Sequence, residues 1–357
     1  MSLQPLQPFV YTSLPGRVIF GRGTLSQVGH EIQSLGCSKA VILTTPGHSK
    51  KGEALKADLG SLAVGIYTNA TLHNPTHVAD DAVELVKALG ADCVVALGGG
   101  STIGLAKGIA LRTDLPQIVV PTTYSGSEAT PLIGQTENGL KTTQKTIKVL
   151  PEVIIYDVNL SLSLPVQITI TSGFNAIAHA LEALYSTEVN PITDMLAEQG
   201  IGRLVTALQV LHKDPQNIEA RSDALYGAWA CGTCLAGVSM ALHHKLCHTL
   251  GGTFNLPHAE THTILLPHTI AYNEPFAVAA MAKASRILGT PSVGKGVFDL
   301  GKNLGAPCSL KDIGMKEEDL ERAADIAMKS PYPNPAPLER AKILGLLRDA
   351  YEGRRPA

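Results

Sequence analysis

Of the 12 histidines in the chain, His243, His244, His248, His258, His262 and His268 fall within one short stretch, and His179 stands in an earlier segment of helical pattern. Imidazole titrates near neutral pH and also ligates divalent metals, so this density points to proton transfer or a metal centre rather than to packing. His244 and His248 are four apart and share a helix face, while His258 follows the turn Asn255-Leu256-Pro257. On residue type alone the group suits a divalent cation.

A second constellation suits phosphate. Ala96-Leu97-Gly98-Gly99-Gly100-Ser101-Thr102-Ile103-Gly104 follows an apolar run and leads into a helical pattern at 105–111. Glycines let backbone N–H groups approach a pyrophosphate without a Cβ in the way, and a helix amino terminus adds partial positive charge. Gly98, Gly99, Gly100 and Ser101 are therefore candidate cofactor contacts, with plain tight packing as the alternative. The next apolar run ends in Pro121-Thr122-Thr123-Tyr124-Ser125-Gly126-Ser127-Glu128, a hydroxyl-rich loop at the strand edge where open α/β sheets bind ligands. Thr122, Thr123 and Ser125 join the candidates, although the two threonines could instead cap the following segment. The early strand end that usually carries a ribose-binding acid reads Leu43-Thr44-Thr45-Pro46. Thr45 takes that place without a carboxylate, which predicts use of both NADH and NADPH.

These residues need a scaffold, and the chain alternates two periods. Apolar β-branched runs at 18–20, 41–43, 64–67, 94–97, 118–120 and 153–156 interleave with helical patterns, which predicts a Rossmann-like parallel sheet covered by helices. The helix over 78–89 has Thr76 as its expected N-cap, Asp80 and Asp81 in its first turn and Gly90 as its stop. Beyond about residue 162 the pattern turns helical, at 176–185, 194–212, 220–250, 275–288, 317–329 and 338–351. The expected organisation is an α/β dinucleotide-binding domain over 1–161 and an all-helical substrate domain over 162–357. At 357 residues two domains are the natural expectation.

Bulk properties exclude several classes. A net charge of -2 without a long basic run argues against nucleic acid and anionic membranes, and 45% hydrophobic with 17% charged residues is the composition of a folded enzyme. Residues 1–16 lack a charged and apolar leader pattern, so the cytoplasm is expected. The uncharged run over 224–242 reads as a buried helix rather than a membrane span, and Cys231 and Cys234, a C-x-x-C within it, read as core cysteines. Six irregularly placed cysteines form no disulfide framework. The proline-rich segment at 330–337 reads as a rigid loop.

Several motifs resemble the iron-containing alcohol dehydrogenases, along almost the whole chain: Phe20-Gly21-Arg22-Gly23, Gly98-Gly99-Gly100-Ser101, Pro121-Thr122-Thr123, Asn175-Ala176-Ile177-Ala178-His179-Ala180-Leu181-Glu182, His244 through His258, and Tyr332-Pro333-Asn334-Pro335. The resemblance implies an architecture like that of dehydroquinate synthase. In the metal-dependent members an Asp and a His four apart, with two later histidines, hold the ion; the matching positions are Asn175, His179, His244 and His258. Asn175 is a departure, because a neutral amide is a far weaker ligand than a carboxylate. Gly104 is another, standing where an Asp is typical. Together with the run 237–248, these departures resemble the maleylacetate reductase branch, which implies NADH- or NADPH-dependent reduction of the conjugated double bond of a small dianionic substrate, maleylacetate, with no metal expected. On that reading His243 and His244 stabilise an enolate or deliver a proton, and His179, His248 and His258 complete the donor cluster. Asn175 is a substrate contact, and Lys245 is a candidate carboxylate anchor or else a solvent-facing lysine. A dianionic ligand is expected to raise histidine pKa values. By analogy residues 9–19 pair with a second copy, giving a homodimer. Two other readings stay open: a metal-dependent alcohol or glycerol dehydrogenase with water and Asn175 completing the coordination sphere, and an NAD-using lyase of the dehydroquinate synthase type.

Overall fold

The computed structural model describes residues 8–137, 140–329 and 332–357. Residues 1–7 of the amino-terminal stretch, and Ser330 and Pro331 of the proline-rich segment, lie outside them. Eight strands are present among the described residues: β1 (Arg17–Gly21), β2 (Ala40–Leu43), β3 (Ala63–Tyr67), β4 (Cys93–Gly98), β5 (Gln117–Pro121), β6 (Leu132–Glu137), β7 (Leu140–Lys145) and β8 (Val153–Asp157). Six of them form one sheet in the order β1-β8-β5-β4-β2-β3, and every pairing in it is parallel. Helices α1 (Val28–Ser34), α2 (Ser49–Leu59), α3 (Thr76–Ala88) and α4 (Gly100–Thr113) connect the strands. Strands β2, β4, β5 and β8 are buried along their whole length, which is why they read as continuous apolar runs.

Strand succession reverses between β2 and β4, so the carboxyl ends of these neighbours flank the crevice that such a reversal opens. Thr45 follows β2, and the glycines close β4 and open α4. Helix α3 buries Ala79, Ala82, Val83 and Val86, and Gly90, at φ 60°, ends the turn after it. Thr76 is the first helical residue rather than the N-cap, because Pro75 already sets the extended entry; Asp80 and Asp81 consequently fall beyond the first turn. The hairpin of β6 and β7 was not expected, since its Gln, Thr and Lys residues carry no apolar alternation.

After β8 the described residues contain helices and no strand: α5 (Val158–Ser161), α6 (Val166–Leu184), α7 (Pro191–Lys213), α8 (Ile218–Gly237), α9 (Leu242–Phe254), α10 (His258–Asn273), α11 (Val278–Leu288), α12 (Val293–Asn303), α13 (Leu320–Ala327) and α14 (Arg340–Glu352). Helix α6 is buried continuously from Thr169 to Leu184 and runs through the middle of this half. Its neighbours α7 and α8 pack closely because Gly200 and Gly227 let the backbones approach, and Cys231 and Cys234 are buried at that crossing. The apolar core of this half also takes in Tyr124, Ile154 and Tyr156 from the sheet half.

The helix expected over 220–250 is two helices. Residues 238–241 break the run, and α9 leaves α8 at 98°. A buried carboxylate makes the break: Glu182 of α6 accepts hydrogen bonds from the backbone N–H groups of Ala241 and His243, at 3.1 and 2.9 Å, and so caps the start of α9. Among the described residues no single helix is long and apolar enough to cross a membrane. Helices α10 and α12 had no clear sequence signature, the first rich in Thr and His with Pro267 inside, the second carrying Gly294, Gly296 and Gly301.

Candidate active site

A crevice of about 740 Å³ separates the carboxyl edge of the sheet from the helical half. Its sheet wall carries Thr45, Gly99, Gly100, Ser101, Thr123 and Ser125, with Gly134, Thr143 and Lys145 of the hairpin beside them. Its helical wall carries Asn175 and His179 from α6, His244 and His248 from α9, and His258 at the start of α10. Left-handed Asn255 ends α9 and turns the chain through Leu256 and Pro257, bringing His258 back to the crevice.

Four candidates stand elsewhere. Gly98 still belongs to β4, where a Cβ would run into Thr102, and its carbonyl accepts from the Thr122 N–H. The side chain of Thr122 is buried in the sheet. One residue round α9 from His244 turns His243 into the core, where its Nδ1 meets the Thr269 hydroxyl at 3.1 Å. A further residue round the helix, Lys245 places its ammonium over the Tyr332 ring at 5.6 Å, so it is not a crevice anchor for carboxylate. His268 is also remote, buried against Phe298.

Asn175, His179 and His244, which do face the crevice, are joined by a chain of hydrogen bonds. Glu182 Oε2 lies 2.6 Å from His244 Nδ1, His244 Nε2 lies 2.8 Å from His179 Nδ1, and His179 Nε2 lies 3.2 Å from the Ser125 carbonyl oxygen. Asn175 Nδ2 donates to the same carbonyl at 3.1 Å. Two glycines bring that carbonyl in: Gly126, at φ 74°, packs on Gly232 of α8 so closely that a Cβ on either would strike the other's backbone. Because an ionised Glu182 can only accept, His244 carries its proton on Nδ1. Its Nε2 then either accepts from His179 or, when protonated, donates to it while His179 turns its own N–H to Ser125. The chain can thus hold one extra proton between carboxylate and crevice.

Electrostatics sharpen the arrangement. His244 and the neighbouring hydrogen bonds hold Glu182 down to about 2 against the desolvation that opposes its charge, so it is a carboxylate throughout the physiological range. Burial drives His179 and His262 well below the ordinary histidine range and His243 down to about 3. In the free protein these rings are neutral, and Glu182 is the group that favours a proton here.

Sequence reasoning missed Glu182 as a site residue, although its position three after His179 and seven after Asn175, on one helix face, was a readable signal. It also missed Lys107. Burial pushes this ammonium down to about 7, and it donates to the carbonyls of Ser127, Thr130 and Leu132, pinning the Ser125 loop and the hairpin to α4.

Two groups must be tested against these residues. For a dinucleotide the cradle fits: Gly99 has no room for a Cβ against Thr123, and Gly100 and Ser101 open the 14-residue helix α4 with amides that no residue within the helix can satisfy. A divalent cation on Asn175, His179, His244 and His258 does not fit. Asn175 offers only a neutral amide oxygen, buried without a partner, the facing nitrogens of His179 and His244 are bonded to each other, and the Glu182 carboxylate lies behind His244. No member of the set supplies negative charge, so an ion there would rest on neutral donors alone, a weaker set than one with a carboxylate.

The family model described as iron-containing alcohol dehydrogenase matches residues 15–158, and that described as the C-terminal part of the Fe-containing alcohol dehydrogenase family matches residues 169–351. The maleylacetate reductase of Rhizobium sp. (strain MTP-10005) is 53% identical over 98% of this chain and 100% of its own length, and that of Burkholderia cepacia is 51% identical over 99% and 100%. The crystal structure of maleylacetate reductase from Agrobacterium tumefaciens superposes with a TM-score of 0.94 at 53% identity, covering 98% of this chain and 100% of that one. The chain belongs to the iron-containing alcohol dehydrogenase family and, within it, groups with the maleylacetate reductases.

Proposed function

We propose that the chain reduces the conjugated double bond of maleylacetate to 3-oxoadipate with NADH or NADPH, without a metal, in the cytoplasm. The observation that carries the mechanism is the chain Glu182, His244, His179 opening on the crevice where a metal ligand set would otherwise stand. A dinucleotide whose phosphates were held by Gly99, Gly100 and Ser101 would supply the hydride. The substrate's double bond is conjugated to a ketone, so addition at the carbon β to that ketone leaves an enolate. That intermediate needs a hydrogen-bond donor at oxygen and a proton at the α carbon, not a Lewis acid.

His244 is the group best placed to lend that proton, because Glu182 compensates the charge on its ring while His179 and Asn175 fix its surroundings. His248 and His258 supply further donors to the oxygen and to the substrate carboxylates. With Lys245 turned away and Lys107 donating to backbone carbonyls, exposed Lys145 of the hairpin is a cationic side chain at the crevice wall that suits a dianion. Thr45 leaves the ribose 2′ position without a carboxylate to repel a phosphate, and His48, whose Nδ1 lies 3.1 Å from the Thr45 hydroxyl, stands beside it. Both cofactors are therefore usable. The working unit is a homodimer formed along the open side of β1, where Phe9, Val10 and Phe20 are exposed, and each copy divides into residues 1–161 and 162–357.

The test follows NADH absorbance on addition of maleylacetate, before and after exhaustive chelation, with metal content measured on the same sample. Oxidation that survives in metal-free protein is expected. An inert substrate, or activity that leaves with the metal and returns with iron or zinc, would establish the metal-dependent alcohol dehydrogenase reading instead.

A further inference from the structure

Behind His244, away from the crevice, lies a second set of metal-ligating side chains. His243 and Cys247 are four apart on α9 and share a face, and His262 meets them from α10. All three are buried. His243 Nε2 stands 3.0 Å from His262 Nδ1 and 3.6 Å from Cys247 Sγ, and one ligand atom from each residue lies within 4.8 Å of the others. A tetrahedral zinc ion, with bonds of about 2.0–2.1 Å to nitrogen and about 2.3 Å to sulfur, spaces its ligands by about 3.3 Å between nitrogens and about 3.6 Å from nitrogen to sulfur. The triad is already near that spacing.

Its protons are arranged for ligation. The Thr269 hydroxyl, which can donate to the carbonyls of Leu265 and Leu266, accepts from His243 Nδ1–H and so leaves a lone pair on His243 Nε2. His262 turns Nδ1 toward the triad, 3.0 Å from His243 Nε2, while its Nε2 is buried with no hydrogen-bond partner. Charge also closes: a Cys247 thiolate and the Glu182 carboxylate, which accepts from the His243 N–H, together balance a dication.

We propose that His243, Cys247 and His262 form a buried site for one thiophilic divalent cation of the zinc type, separate from the Asn175, His179, His244 and His258 group. Water supplies the fourth ligand, and Cys247 releases its thiol proton to solvent on binding. The ring of His262 is centred 5.1 Å from that of His244, so the site lies directly behind the crevice histidines.

Cobalt(II) titration of reduced, chelator-stripped full-length protein tests the site without reference to activity. One equivalent is expected to bind with a thiolate-to-cobalt charge-transfer band. Cys247→Ala should abolish that band, and both it and His262→Gln should weaken binding at least tenfold, while His179→Ala keeps both band and affinity. Thermal melts confirm the fold of each variant, and either of the first two suffices. No stoichiometric binding in the parent, parent-like binding in a folded Cys247→Ala or His262→Gln variant, or loss of binding only in His179→Ala would overturn the proposal.

Discussion

Asn175 changes what the histidines beside it can do. With a neutral amide in the crevice, the only carboxylate among these groups is Glu182, and it faces the far nitrogen of His244 rather than the solvent. Negative charge placed behind an imidazole favours its protonated form and fixes its tautomer, which is the requirement of a proton donor. Removing the ring and removing its backing should therefore differ. His244→Ala is expected to reduce kcat by roughly 10²- to 10⁴-fold. Glu182→Gln, which preserves shape, should cost about 10- to 100-fold in kcat with KM nearly unchanged. A Glu182→Gln enzyme with the parent's kcat would mean that Glu182 only caps α9. His243→Ala should act mainly on thermal stability, because that ring faces Thr269 and His262 instead of the crevice.

The element that delivers this chemistry is the contact between the Ser125 loop and α8. Gly126 and Gly232 touch backbone to backbone, and the carbonyl they bring forward is the acceptor for both Asn175 and His179. Gly232→Ala places a methyl group against the Gly126 carbonyl, so the loop must retreat. A loss of about 1–3 kcal/mol in stability is expected, together with a rise in the KM for cofactor, since Thr123 and Ser125 move with the loop. Unchanged kinetics in a destabilised variant would show that the loop carries no part of the site. This contact also marks where the sequence stopped being readable. The six parallel strands were legible because buried β-branched runs have one meaning, and the glycine loop was legible because it sits between such a strand and a helix. The break between α8 and α9 was not, because its cause is a carboxylate some sixty residues away in sequence. The hairpin was hidden by its polar composition, and the histidines were visible as a group without showing which of them turn inward. Position around α9 separates His244 from His243 and Lys245, and that rotation is set by packing on α6 and α10.

The whole molecule carries an unusual load of buried imidazole, and this should govern its response to acid. His179, His243, His262 and His268 are all buried, and burial lowers every one of them. For His268 the folded value falls to about 4 from an ordinary 6.5, with Asp349 partly offsetting burial and Arg354 adding to it. A group whose folded pKa is depressed in this way takes up its proton more readily when unfolded. The neutral ring's contribution is therefore fully present above pH 6.5 and is lost progressively as pH falls toward 4. For His268 alone the loss at pH 5 is about 2 kcal/mol. Glu182, held near 2, begins to lose its own contribution only below the ordinary carboxylate range. Thermal midpoints of the apo protein should consequently fall steeply between pH 6.5 and 4.5, before most carboxylates titrate. His268→Leu, which cannot take up a proton, should show a shallower fall than the parent. A midpoint that stays level across that interval in the parent would mean that the buried rings are already protonated in the native state.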